Sequence, residues 1–240
     1  MSAGRSTDHI ESWRRETAEH AATLHEFLSW FDASQDPAEN SMRGWWDFSF
    51  HILKPELIDL IGEPFDKVAL EIGHGAGRLL VPACHYFKHC IGIDIHPFKG
   101  KVDALIRERG VGNFETLETD GYTIPLDADS VDVVYSFIVL QHLPDIQSLK
   151  GYLEETFRVL RPAGAAILYM GLLPGRFRRR YADVSGQSVR TARQVTLRLS
   201  IPLARSLLQD AGFRVHDLRR SRRRPWASEF GGQFYAIVST

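Results

Sequence analysis

Cysteine is scarce in this chain: its 240 residues include two, Cys84 and Cys90. Two thiols cannot staple a disulfide scaffold or fill a structural zinc site, so a reducing cytoplasm is the expected compartment. The opening MSAGRSTDHIESW lacks the apolar stretch of a secretory signal. Long hydrophobic runs are missing as well. The longest low-charge segment, residues 163–175, is broken by glycine and proline and is too short to cross a bilayer. No membrane association is expected. Net charge is almost nil, at −1, yet the balance conceals a segregation. Between Leu172 and Arg224 stand 14 arginines, three acids and no lysine, a local surplus of 11 positive charges. Such a split bears on partners rather than on fold.

What is present is a globular composition, 44% hydrophobic and 11% aromatic, in a length that suits one full-sized domain with decoration. Ile10, Trp13, Thr17, Ala21, Leu24, Leu28 and Phe31 recur at spacings of three and four, which predicts one amphipathic helix. Asp36-Pro37 and the polar run to Ser41 break it. The aromatic stretch MRGWWDFSFHIL follows, then a short helix over 55–61. From Lys67 onward, strands alternate with helices. VALEI, CIGIDI, NFETLETD, VDVVYSF and AAILYMG read as strands one to five, and FRVHDLR and QFYAIVST as two more. Helices are predicted over 78–87, 98–109, 146–160 and 201–209. The pattern implies a mostly parallel sheet covered on both faces.

In such sheets ligands bind beyond the carboxyl ends of the strands, near the switch in strand order. Strand one is followed by Glu71-Ile72-Gly73-His74-Gly75-Ala76-Gly77, where glycines permit a tight turn and close backbone approach. Strand two ends at Asp94-Ile95, and Asp94 could accept hydrogen bonds from a ribose diol. Strand three leads to Asp120-Gly121, suited to an adenine amine, and strand four to Ser136-Phe137 and the run to Asp145. A dinucleotide fingerprint would read G-x-G-x-x-G; here the loop is G-x-G-x-G with an acid two residues earlier, and no room remains for a separate substrate domain.

Over roughly residues 67–240 the chain resembles the class I S-adenosylmethionine-dependent methyltransferases. The resemblance rests on VALEIGHGAGR, CIGIDIHP, ETDGYTIPL, VDVVYSFIVLQHLPD and FRVLRPAGAAILYM, in that order. It implies an α/β fold with a Rossmann-like seven-stranded, mostly parallel sheet, an antiparallel last strand and a helical N-terminal extension. Residues 1–62 would form the extension or lid, and 63–240 the S-adenosyl-L-methionine-binding domain, with an insertion at 172–200. The resemblance also implies that Gly73, His74, Gly75 and Gly77 wrap the amino-acid end of the cofactor and that Glu71 orients its amine. Asp94 and Ile95 would hold the ribose, Asp120 and Gly121 the adenine, and Ser136 and Phe137 the methionine end.

Methyl transfer from a sulfonium is an in-line displacement, so the protein supplies alignment and, for a hydroxyl acceptor, a base. His142, just past strand four, is the first candidate base, and His51 in the aromatic stretch the second. His142 can equally be a loop residue packed under the cofactor, and His96 reads better as a helix-cap residue than as a ligand. A metal-assisted mechanism would want carboxylates or amides after strands four and five, where the chain has Ser136-Phe137 and Met170-Gly171; no metal is expected. The N-P-P-Y signature of amide and adenine methylation is also absent after strand four.

Trp45, Trp46, Tyr169 and Arg176 are the candidate substrate contacts, the first two as an aromatic lid or, alternatively, as glue between the N-terminal helix and the core. Two arginine clusters, at 176–180 and 219–224, fit an anionic metabolite, an RNA surface, or a solvated face. The expectation is a metal-independent methyltransferase acting on a small molecule, with oxygen ahead of nitrogen as acceptor. The alternatives are an RNA methyltransferase and a non-catalytic cofactor-binding partner subunit; nucleic acid is disfavoured by the sequence pI of about 6.8. An oligomer is compatible with each.

Overall fold

The computed structural model describes residues 3–32, 36–173, 180–183, 195–221 and 232–240. Three helices come first: α1 (Ala3–Glu19), α2 (Leu24–Asp32) and α3 (Pro37–Asp47). A π-helical turn, Phe48–Ile52, leads to α4 (Pro55–Ile61). The alternating part runs β1 (Val68–Ile72), α5 (Leu80–Ala83), β2 (His89–Asp94), α6 (Lys99–Glu108), β3 (Phe114–Glu118), β4 (Val131–Ser136), α7 (Ile146–Val159) and β5 (Leu160–Gly171). The short strands β6 (Tyr181–Ala182) and β7 (Arg198–Leu199) precede α8 (Ile201–Asp210), β8 (Arg214–Arg220) and β9 (Gln233–Ser239).

Seven strands form one sheet in the order β3-β2-β1-β4-β5-β9-β8. The first five are mutually parallel, and β9 runs antiparallel to both β5 and β8. The strand order switches between β1 and β4, which opens a crevice at their carboxyl ends. Alternate residues of each strand enter opposite cores. Ala69, Val133, Tyr135, Tyr169 and Ile237 pack under Phe27, Phe48, Leu57, Leu80 and Val102. Leu70, Ile72, Val134, Phe234 and Val238 pack under Leu149, Leu153, Leu203 and Leu207.

The N-terminal region departs from the single expected helix. Thr23 starts a second one with a capping box: its Oγ1 accepts from Glu26 N at 3.1 Å, and Glu26 Oε2 accepts from Thr23 N at 3.1 Å. Asp36-Pro37 likewise begins a helix rather than a loop, with the Asp36 carboxylate accepting from Ala38 N at 2.8 Å. The helix expected over 78–87 keeps α geometry only at Leu80–Ala83, and β5 begins at Leu160, earlier than expected. Of the arginine clusters, Arg180, Arg219 and Arg220 are described; Arg176, Arg178, Arg179 and Arg222–Arg224 lie outside the described residues. Among the described residues no helix is long and apolar enough to cross a membrane.

His51 is packed into the core by this arrangement. Its Nδ1 lies 3.0 Å from Tyr169 Oη, the tyrosine hydroxyl donates to the His51 carbonyl at 3.1 Å, and its ring stacks on Phe137 with centroids 4.7 Å apart. Burial, reinforced by the charges of Lys54 and Arg78, pulls its pKa from 6.5 to about 3.

Two predictions follow from this packing. Thr23→Ala removes the α2 cap, about 1 kcal/mol, and lowers the thermal midpoint by about 2–4 °C in calorimetry. For His51, the unfolded chain takes up a proton near pH 6.5, whereas the folded protein resists it until about pH 3. Stability is therefore full above pH 6.5 and declines as pH falls through this window, by at most about 1.4 kcal/mol per pH unit. His51→Gln should flatten that slope in urea titrations between pH 6.5 and 5; an unchanged slope would contradict the assignment.

Candidate active site

A cavity of about 850 Å³ opens at the crevice between β1 and β4. Its floor consists of the turns that follow four strands: the glycine loop, Asp94-Ile95, Thr119 with Gly121, and Phe137 to Pro144. The roof is α1 and α2, through His9, Ile10, Trp13, Trp30 and Phe31.

The floor is organised around one residue, Gly75, and the two peptide groups it joins. Gly75 N donates to Asp94 Oδ2 at 2.8 Å, and the Gly75 carbonyl lies 2.9 Å from His74 Nδ1 and 3.0 Å from His96 Nε2. A carbonyl can only accept, so both imidazoles present N–H to it. His96 Nδ1 in turn lies 3.2 Å from Phe98 N and accepts from it. Ile95 N donates to Asp94 Oδ1 at 2.7 Å. Burial works against the charge on Asp94, but His96, His74 and the amides of Gly75 and Ile95 outweigh it, holding the carboxyl below its ordinary value. His74 is pulled to about pH 4, chiefly by burial, and stays neutral at physiological pH. The ligand-type atoms of His74, Asp94 and His96 lie within 4.8 Å of one another, and one polar atom of each, His74 Nδ1, Asp94 Oδ2 and His96 Nε2, is bonded to the backbone of Gly75.

Gly73 has φ 78°, and a Cβ there would overlap the side chain of Val139. The loop after β1 can therefore pack against the turn after β4 only with glycine at this position. That second turn is itself unusual: Ile138, a β-branched residue, has φ 65°. Strained backbone of this kind persists where surrounding packing enforces it, often at functional sites.

Two acids face the cavity from the floor. Asp94 keeps lone pairs beyond its amide bonds, and Glu71 accepts from the buried Tyr135 hydroxyl at 3.1 Å. Arg78 lines the same space and pairs with the buried Asp47 of α3, tying that helix to the glycine loop. S-adenosylmethionine fits this donor set. Glu71 suits its ammonium and Asp94 the diol.

The roof is pinned to the floor. Arg14 donates to the Ile95 and Thr119 carbonyls at 2.8 and 3.2 Å, and His9 Nε2 lies 2.7 Å from the His142 carbonyl. The Trp13 ring sits edge-on to Trp30 and to His142, at 6.1 and 5.5 Å. His142 lies on a 3-10 turn, Leu140–His142, with its Nε2 3.2 Å from Gln141 Nε2. The amide nitrogen donates, so the ring nitrogen accepts and the ring proton resides on Nδ1.

Several expected site residues lie elsewhere. His51, Ser136 and Tyr169 are buried behind the cavity wall rather than on it. Gly77 belongs to the same loop but does not line the cavity. Asp120 is exposed, and its carboxylate accepts from Tyr122 N and Thr123 N in its own turn, both at 2.8 Å. Trp45 and Trp46 are 37% and 45% exposed and do not reach the cavity. Trp45 packs on His85 and Tyr86, and Trp46 stacks on Phe50. The neighbouring Phe48, fully buried against Phe87 and Tyr135, joins this stretch to the core. Sequence reasoning missed Ile10, Trp13 and Trp30 as roof, Thr119, Gln141 and Gln233 as wall, and Arg43, Arg78 and Arg198 as cations; Arg220, from the cluster expected to meet an anion, does line the cavity.

Residues 70–168 match a family model described as a methyltransferase domain. The chain is 28% identical over 100 residues to the uncharacterized methyltransferase YcgJ of Bacillus subtilis, covering 41% of this chain and 38% of that protein. It is 28% identical over 117 residues to the mouse tRNA (carboxymethyluridine(34)-5-O)-methyltransferase, covering 48% of this chain and 16% of the mouse protein. The aligned stretches thus span well under half of either relative. A solved S-adenosylmethionine-dependent methyltransferase from Methanosarcina mazei superposes with a TM-score of 0.62 at 20% identity, over 78% of this chain and 98% of that one. The glycine loop, its acid partner and the strand order agree with these matches: residues 70–168 carry a methyltransferase domain, and the chain shares the fold of solved S-adenosylmethionine-dependent methyltransferases.

Proposed function

We propose that the protein transfers a methyl group from S-adenosylmethionine to an oxygen, or a nitrogen, of a small metabolite held between the floor and the roof of the cavity. One observation carries the reading: a roofed space lined at one end by the glycine loop and Asp94, and at the other by Gln141, His142 and Gln233. When bound, the cofactor supplies a methyl group on a positively charged sulfur. The rest falls to the chain. Asp94 and Glu71 hold the cofactor's polar ends, Gly121 and Ile95 flank a base, and Trp13 with Ile10 keeps water out from above.

His142 is proposed as the group that removes the acceptor's proton. Its Nε2 carries the ring's one lone pair, and the Gln141 amide that now occupies it fixes the tautomer and yields that nitrogen to the acceptor's O–H or N–H on binding. No metal ligand is needed for this role. The mouse relative acts on tRNA, and with the arginine-rich stretch this keeps RNA as a second reading. The roof of α1 and α2 favours a small acceptor over a polynucleotide.

Calorimetric titration with S-adenosylhomocysteine tests the cofactor site. The wild type should bind in the micromolar range, and Asp94→Ala should bind at least about tenfold more weakly, since it loses charged hydrogen bonds to the diol. Absence of wild-type binding, or equal binding by the variant, would contradict the reading. With an acceptor found by release of S-adenosylhomocysteine from a metabolite panel, His142→Ala should lose about 10²-fold or more in turnover at unchanged cofactor affinity. Unchanged turnover removes His142 from the mechanism.

A further inference from the structure

The cavity wall opposite the glycine loop carries a charge that the cofactor does not explain. Four arginines line the cavity, and two of them are neutralised locally: Arg43 by Glu39 at 2.5 Å, and Arg78 by Asp47. Arg198 and Arg220 have no acidic partner among the described residues. The acids that line the cavity are Asp47, Glu71 and Asp94; the first is held by Arg78, and the other two belong to the glycine-loop end.

Both unneutralised arginines are attached to one hub, Gln141. Thr196 N and Leu197 N donate to its carbonyl at 2.9 and 3.0 Å, which sets Arg198 beside the His142 turn. Gln233 Nε2 donates to its side-chain oxygen at 2.8 Å, and Ser221 N donates to the Gln233 carbonyl at 3.0 Å, which sets Arg220 on the same wall. Gln233 is 95% buried at 5% exposure, lines the cavity, and leaves its amide oxygen without a hydrogen-bond partner. A buried acceptor in that state is costly and calls for a donor.

We infer that this wall is an anion subsite, and that the methyl acceptor is a small organic acid carrying an O–H or N–H. Its carboxylate or phosphate engages Arg198 and Arg220, and its donor faces the glutamine pair next to His142. The inference rests on the proposed methyl-transfer reading of the same cavity. Guanidinium forks recognise either anion, and a lysine would not reproduce the paired geometry.

The test uses the whole 240-residue chain and three probes, benzoate, phenyl phosphate and neutral benzamide, titrated at millimolar concentration with and without S-adenosylhomocysteine. At least one anion should bind about tenfold more tightly than benzamide. Arg198→Ala and Arg220→Ala should each abolish that preference, Arg198→Lys should restore it only in part, and the exposed, distant Arg205→Ala should leave it unchanged. Affinity for S-adenosylhomocysteine should stay within about twofold in all four variants. Which anion binds separates carboxylate from phosphate acceptors. Failure of both anions to bind, equal binding of benzamide, or equal loss in Arg205→Ala overturns the subsite. Loss of S-adenosylhomocysteine binding by the wild type would instead overturn the methyl-transfer reading.

Discussion

The backbone of Gly75 is the constraint on which the site depends. Its N–H is held by Asp94, and its carbonyl by two imidazoles, so three side chains from two segments converge on one backbone unit. This contact fixes the glycine loop to the end of β2, and Gly73 against Val139 fixes it to the turn after β4. The cavity floor is assembled from loops, yet each loop is tied to another by buried, satisfied polar contacts. In His96 one nitrogen donates and the other accepts, and burial keeps His74 from taking up a proton near neutrality.

The roof follows from the floor. α1 crosses the carboxyl edge of the sheet because Arg14 finds the carbonyls of Ile95 and Thr119, and His9 that of His142. The carbonyls of Ile95 and Thr119 lie just past the ends of β2 and β3, where one arginine fork can satisfy both. The N-terminal extension thereby encloses the cavity. The aromatic stretch after it does a different task, bringing Phe48 and His51 into the core beneath β4 and β5.

The sheet and the cofactor loops were legible in the sequence because each depends on local pattern. Short apolar runs followed by glycines and acids state both the strand and what lies at its end. Two helix starts were also written locally, in Thr23…Glu26 and Asp36-Pro37, although helical periodicity carried across the first and polarity masked the second. Side-chain direction was not legible. His51 and Trp45 share one stretch of sequence, but packing against the sheet buries one and leaves the other at the surface. Asp120 stands where an adenine contact is expected, yet the amides of its own turn are nearer and take its carboxylate. The arginine surplus was visible as composition. Which arginines face the cavity depended on the pairing of β8 with β9 and on the bonds from Thr196 and Leu197 to Gln141.

Hydrogen exchange with and without S-adenosylhomocysteine measures the central claim directly, because it reads the clamped loop without needing the acceptor. Amides at 73–78, 94–96 and 119–121 should gain protection together when the ligand is added, with α1 following as its roof contacts tighten. Protection confined to other segments, or none at all at the Gly75 loop under saturating ligand, would contradict the account.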